Sequence, residues 1–196
     1  MKLAKHPAGR THVRAMTLIE MTVVLIVVGV LAALLVAPAM NGMVARHRVQ
    51  GVNAELLGDL QLARSEQAQR NGTATSVSVS FGANADMTCY TIHATVAGGL
   101  PCDCTRVPST TCAGVADAQE IKTMQFARVA GVSVAASSPS GTRITFAPPR
   151  GLATPDNLVI DVQNATSGQL RTSLNGLGVP SVCSPDGSIP GVRTCP

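Results

Sequence analysis

A single acidic residue opens the most apolar stretch of this chain, and that juxtaposition limits what the N-terminus can become. Glu20 is followed by Met21 to Met40, 20 residues without a charge. At about 1.5 Å of rise per residue, such a helix is roughly 30 Å long, enough to cross a hydrocarbon core. A carboxylate carried to the centre of a bilayer helix costs about 2.5–3.5 kcal/mol, so one at the mouth of the run calls for a functional reason. Lys2, Lys5, Arg10 and Arg14 precede the run. Basic residues before a span favour a cytoplasmic N-terminus and an exported remainder. A secretory signal peptide has a shorter apolar core, about 7–15 residues, with a small-residue cleavage site after it. Neither feature fits. A plain signal anchor accounts for the length and the leader, but not for Glu20.

The segment Ala15-Met16-Thr17-Leu18-Ile19-Glu20 resembles the type IV prepilin signal. The resemblance implies that a prepilin peptidase cuts between Ala15 and Met16 and that Met16 becomes an N-methylated mature terminus. It also implies that Glu20 meets the terminal amine of a neighbouring subunit during assembly. Ala15 stands where that signal usually has Gly, but it is still small. The expected organisation is a cleaved leader over 1–15, a transmembrane and assembly helix over 16–40, its amphipathic continuation over 41–72, and a β-rich periplasmic domain over 73–196.

The formal charge of +4 belongs to the leader; from Met16 onward 11 basic residues face 11 acidic ones. A domain so balanced has no global electrostatic pull on nucleic acid. Val49, Val52, Leu56, Leu60 and Ala63 recur at intervals of three and four, which predicts one buried helix face, with Arg46, Arg48, Asp59, Arg64 and Glu66 largely elsewhere. Pro38 is expected to kink the long helix, and Arg70-Asn71-Gly72 to end it. Val77, Val79 and Phe81 then alternate with serines, the mark of a half-buried strand. Further strands are expected at Cys89–Val96, Glu120–Phe126, Val132–Ala135, Thr142–Phe146, Leu158–Val162 and Leu170–Leu174. Gly98 to Ala118 reads as a cysteine-bearing loop. The expected class is α+β: a long N-terminal helix packed on an antiparallel β-sandwich or curved sheet.

Further motifs narrow the resemblance. Leu60-Gln61-Leu62-Ala63-Arg64-Ser65-Glu66, followed by Arg70-Asn71, is similar to the helix signature of the FimT/GspH family of minor pilins and pseudopilins. Ile144 to Gly151 resembles that family's mid-domain strand and Pro-Gly turn, and Leu170 to Leu174 its late strand. The resemblance implies a subunit that assembles at or near the tip of a type IV pilus or a type II secretion pseudopilus. Its partners would be other pilin or pseudopilin subunits, the prepilin peptidase and the inner membrane. An alternative is reception of DNA, which some members carry out through a Gly-Arg-x-Arg motif before a cysteine. Here Gly178-Val179-Pro180-Ser181 lacks both arginines, and a second alignment keeps only Arg193, with Arg171 nearby in sequence. One or two phosphate contacts would leave such binding weak.

Six cysteines, at 89, 102, 104, 112, 183 and 195, are even in number. In an exported chain this favours disulfides, with 15 pairings possible. Cys183–Cys195 would close a short C-terminal loop, leaving two bridges among Cys89, Cys102, Cys104 and Cys112. Cys102-Asp103-Cys104 does not have the spacing of a structural zinc site, and no cofactor or metal is expected. His47 and His93 are the histidines outside the leader. With no nucleophile elbow, phosphate loop or His-Glu-x-x-His motif, an enzyme is not expected. A lone strand histidine such as His93 is ordinarily satisfied or exposed.

Overall fold

The computed structural model describes residues 17–70, 75–96, 98–137, 142–148 and 151–196, with the side chains of 34–39 and 41 also outside the description. Helix α1 is Leu18–Gln69. The chain divides into two compact units, Met1–Met40 and Asn41–Pro196.

In the first unit, every described side chain from Thr17 to Ala33 is exposed. Leu18, Ile19, Leu25 and Ile26 are exposed at 83%, 70%, 71% and 65%. A helix apolar all round is built to be surrounded by something. Among the described residues, no helix is long and apolar enough to cross a membrane. The expected span over 16–40 is therefore not met within them. Part of it, including Pro38 and its expected kink, lies outside the described side chains. The leader 1–15 and Met16 lie outside the described residues altogether.

The second unit is built on the remainder of α1. Val49, Leu56, Leu60 and Ala63 are buried, and Val52 packs against the same core. Asp59 is a correction: it lies on the buried face, 6% exposed, together with Asn53 and Gln67. Two sheets complete the core. The strands are β1 Thr75–Ala83, β2 Met87–Val96, β3 Gln119–Ala127, β4 Val132–Ser137, β5 Arg143–Ala147, β6 Leu152–Thr154, β7 Val159–Asn164, β8 Gly168–Leu174 and β9 Pro180–Cys183. One sheet has the order β3-β2-β1-β5-β6, the other β4-β7-β8-β9. All pairings between named strands are antiparallel. The class is α+β with antiparallel sheets, and a single apolar cluster joins the helix face to both of them.

Two strands have no counterpart in the sequence reading. In β6 only Ala153 is buried, so three residues offer no alternation to detect. Strand β9 begins with Pro180, which cannot donate to a ladder and therefore suits the sheet edge where β9 lies. A second correction concerns β1, which is buried on both faces: Ser76, Ser78 and Ser80 are as enclosed as Val77 and Val79. The segment between β2 and β3 lies over this outer face. Thr111 Oγ1 is within 3.5 Å of Thr91 Oγ1, and Cys89 of β2 is bonded to Cys104. Glu120 holds the segment in place, accepting from the backbone N–H groups of Ser109 and Thr111 and from the hydroxyls of Thr111 and Thr123. Burial pushes the Glu120 carboxyl up, and these four donors more than reverse it, leaving it below its ordinary value.

Candidate functional site

Thr17 and Glu20 form the start of α1. The Glu20 N–H donates to Thr17 Oγ1 at 3.3 Å, and the Met21 N–H to the Thr17 carbonyl at 3.2 Å. Thr17 thus caps the helix, and Glu20 is the third helical residue, the spacing of a capping box. The positive end of the helix dipole favours a carboxylate in this first turn. Glu20 is exposed, so its carboxylate is accessible from outside the chain. Ala15 and Met16, the expected cleavage site and methylated terminus, lie outside the described residues.

All six cysteines are in disulfides: Cys89–Cys104, Cys102–Cys112 and Cys183–Cys195. The first two overlap in sequence and tie the β2–β3 segment both to the sheet and to itself. The third closes the C-terminal loop, where the Ser184 N–H also donates to the Arg193 carbonyl at 2.8 Å. Among the described residues, no group of three or more His, Cys, Asp or Glu is placed to hold a metal ion.

The two arginines of the DNA alternative have different surroundings. Arg171 on β8 makes a two-pronged contact with Asp161 on β7, Nε to Oδ1 at 2.8 Å and Nη2 to Oδ2 at 3.1 Å. Hydrogen bonding and attraction from Asp161 raise the Arg171 pKa further. A guanidinium so engaged has its fork occupied. Arg193 is exposed. The aromatic rings are no stacking platform: Phe81, Tyr90 and Phe146 are buried. Phe81 and Phe126 stand 5.7 and 6.0 Å from Tyr90, centroid to centroid.

A polar joint between helix and sheets was not anticipated. Asp59 accepts from Tyr90 Oη at 2.8 Å and from Lys122 Nζ at 2.8 Å, and Lys122 also reaches Glu55 at 3.4 Å. Burial, then the bond to Asp59, raises the Tyr90 pKa. The Asp59 hydrogen bond also raises that of Lys122. Asn53 Oδ1 accepts from Thr172 Oγ1 of β8 at 2.9 Å. Gln67 Oε1 accepts from the Val77 N–H of β1 at 2.7 Å. Spacing could have found all three helix residues: Asn53 is four residues from Val49, Asp59 four from Ala63 and Gln67 four from Ala63, so each falls on the apolar face.

His93 is neither satisfied nor exposed. Its side chain is wholly buried, and among the described residues neither ring nitrogen has a hydrogen-bond partner. Burial chiefly lowers its pKa to about 4. The Thr91 backbone works the other way without reaching hydrogen-bond geometry, and Arg143 lowers it further.

The geometry defines an α+β module organised on one helix and stapled by disulfides, whose helix start carries an exposed carboxylate. A family profile described as Type II transport protein GspH matches residues 53–178, more than half of the chain. The chain belongs to the GspH family. No curated protein and no solved structure matches it.

Proposed function

We propose that the chain is a minor pseudopilin that assembles at or near the tip of a type II secretion pseudopilus through its N-terminal helix. The observation that carries this reading is the family match over 53–178. The all-round apolar exposure from Leu18 to Ala33 supports it, because such a surface needs lipid or other helices around it. Cleavage between Ala15 and Met16 frees an amine four residues before Glu20. In a dry helix bundle, that amine and the Glu20 carboxylate of a neighbour satisfy one another, where either left alone would be costly. The subunit begins as a single-pass protein of the inner membrane with residues 73–196 in the periplasm. Its partners are other pseudopilins and the prepilin peptidase. The engagement of Arg171 by Asp161 favours assembly over DNA reception.

Cross-linking in intact cells, followed by mass spectrometry, tests the partner class. Links to secretion pseudopilins are expected. Links to the minor pilins of a retractable pilus would overturn the secretion assignment and return attention to Arg193.

A further inference from the structure

Three arginines lie in or beside the one-turn 3-10 segment Arg128–Ala130. Arg48 of α1 donates from Nη1 to the Ala130 carbonyl at 3.3 Å. Arg128 belongs to the segment itself, its Nε donating to the Asn84 carbonyl at 3.1 Å. Arg46 and Arg128 line one polar cleft. Among the described residues, none of the three makes an ion pair, as is also true of Arg64, Arg143 and Arg193, whereas Arg70, Arg106, Lys122 and Arg171 each have a carboxylate. The acids close by are engaged or only adjacent. Asp186 lines the same cleft and accepts from the Ser184 and Ser188 hydroxyls. Glu55 is bonded to Lys122, and Asp86 contributes its carbonyl to the Arg128 N–H. In this collar Val129, between Arg128 and Ala130, is 97% exposed, and Met43 and Val44 on the helix are exposed as well.

The pattern is a projecting apolar side chain on a turn that carries Arg128 and is bonded by Arg48, with Arg46 in the cleft beside Arg128. A bilayer surface matches both parts: lipid phosphates accept the arginine forks, and the boundary below them accepts a valine. Chain connectivity points the same way. Met43 to Arg48 lie within eight residues of Met40, where the apolar run ends. Whatever holds that run in a membrane delivers these residues to its surface. Arginines directly after a span on the exported side also work against the topological bias set by the leader, so they call for a reason of their own.

We propose that Arg46, Arg48, Arg128 and Val129 form a contact with anionic phospholipid that seats the domain on the membrane before assembly. The inference rests on the membrane-anchored reading above. Because the collar makes no ion pair among the described residues, drawing the subunit into a filament breaks lipid contacts there without separating a carboxylate from its arginine.

The test is hydrogen exchange of amides 127–132 in the full chain, reconstituted in vesicles of phosphatidylcholine alone or mixed with phosphatidylglycerol. Exchange is expected to slow by at least about fivefold in the mixed vesicles, the factor one arginine contributes at an anionic surface. High salt and the R46S/R48S/R128S variant should remove the effect, and V129S should reduce it. Amides of β1 and β2, unchanged throughout, report that the variants are folded. Equal exchange in the two vesicles overturns the inference and leaves the anchor intact. So does protection that survives in the triple variant. Protection that grows with protein concentration would assign the collar to a second copy instead. Equal protection by inorganic phosphate in detergent would assign it to a free anion. Failure of the chain to float with either vesicle overturns the anchored reading, and this inference with it.

Discussion

Tyr90 of β2 donates its hydroxyl to Asp59 of α1 at 2.8 Å, and the other oxygen of that carboxylate takes Lys122 of β3 at 2.8 Å. Two strands are thereby tied to one point on the helix. A buried carboxylate lost from such a pair leaves its partners unpaired, which costs more than the pair itself contributes. Asp59→Ala is expected to lower unfolding free energy by about 3 kcal/mol, and Tyr90→Phe by about 1 kcal/mol. Urea denaturation of the two single variants and the double measures their coupling. A double variant equal to the sum of the singles would show that the contact carries no energy.

His93 should make stability fall in mild acid. Its pKa in the folded chain is about 4 against an ordinary 6.5, so the unfolded chain binds the extra proton between those values. Stability is fully present above about pH 6.5 and is lost as pH falls toward about 4, by about 3 kcal/mol from this group. His93→Met removes two unpartnered nitrogens, so it should be near neutral at pH 7.5 and flatten the slope below it. Denaturation midpoints at pH 7.5 and 4.5 for both proteins decide this. Parallel pH profiles would refute the assignment to His93.

The Cys183–Cys195 bridge closes a loop with a sequence separation of 12. Replacing both cysteines by serine is expected to cost about 3 kcal/mol in the chain-entropy account. Thermal unfolding of the oxidised double variant against the parent measures it. The other two bridges stay intact in that comparison.

Gly168 opens β8 at φ +120°, a region side chains rarely adopt. A Cβ there would fall on the Ser188 hydroxyl and come within 3.0 Å of Ile189 Cδ1. Gly168→Ala should cost about 2 kcal/mol or more, from backbone strain plus displacement of the Ser188 side chain. Ser188→Ala in the same chain should recover part of the loss, which unfolding midpoints will show. Full recovery would mean the backbone conformation contributes nothing.

Glu20 is the assembly residue of the proposed function, and its role can be separated from helix capping. Glu20→Ala should leave leader removal intact while incorporation into filaments drops at least tenfold, read by immunoblot of sheared filaments against membranes. Thr17→Ala, which removes only the cap, should cost about 1 kcal/mol of helix stability and affect incorporation far less. Normal incorporation of the Glu20 variant would end the pairing idea.

Much of the architecture follows from local periodicity. Val49, Leu56, Leu60 and Ala63 line one helix face because 3.6 residues make a turn, and the alternation of Val77, Val79 and Phe81 marks a strand for the same kind of reason. The Thr17–Glu20 cap is equally local, since donor and acceptor lie three residues apart. Where the reading went astray, the deciding partner was distant in sequence. The serines of β1 look solvent-facing until the segment held by Cys89–Cys104 and Glu120 lies over them. Asp59 looks like a surface acid until Tyr90 and Lys122 reach it across 31 and 63 residues.

By itself, then, the chain determined its α+β class, most of its strands and the family resemblance. Each of these rests on spacing within a few residues, where covalent geometry dictates which side chains share a face. Only the tertiary structure decided which of the fifteen cysteine pairings occurs. It also decided that Arg171 is bound to Asp161, that His93 is buried with no hydrogen-bond partner among the described residues, and that Arg48 bonds the turn carrying Arg128, which shares a cleft with Arg46. These depend on which surfaces meet after the helix and two sheets bury a common core, and hydrophobic burial is non-directional until packing selects one arrangement.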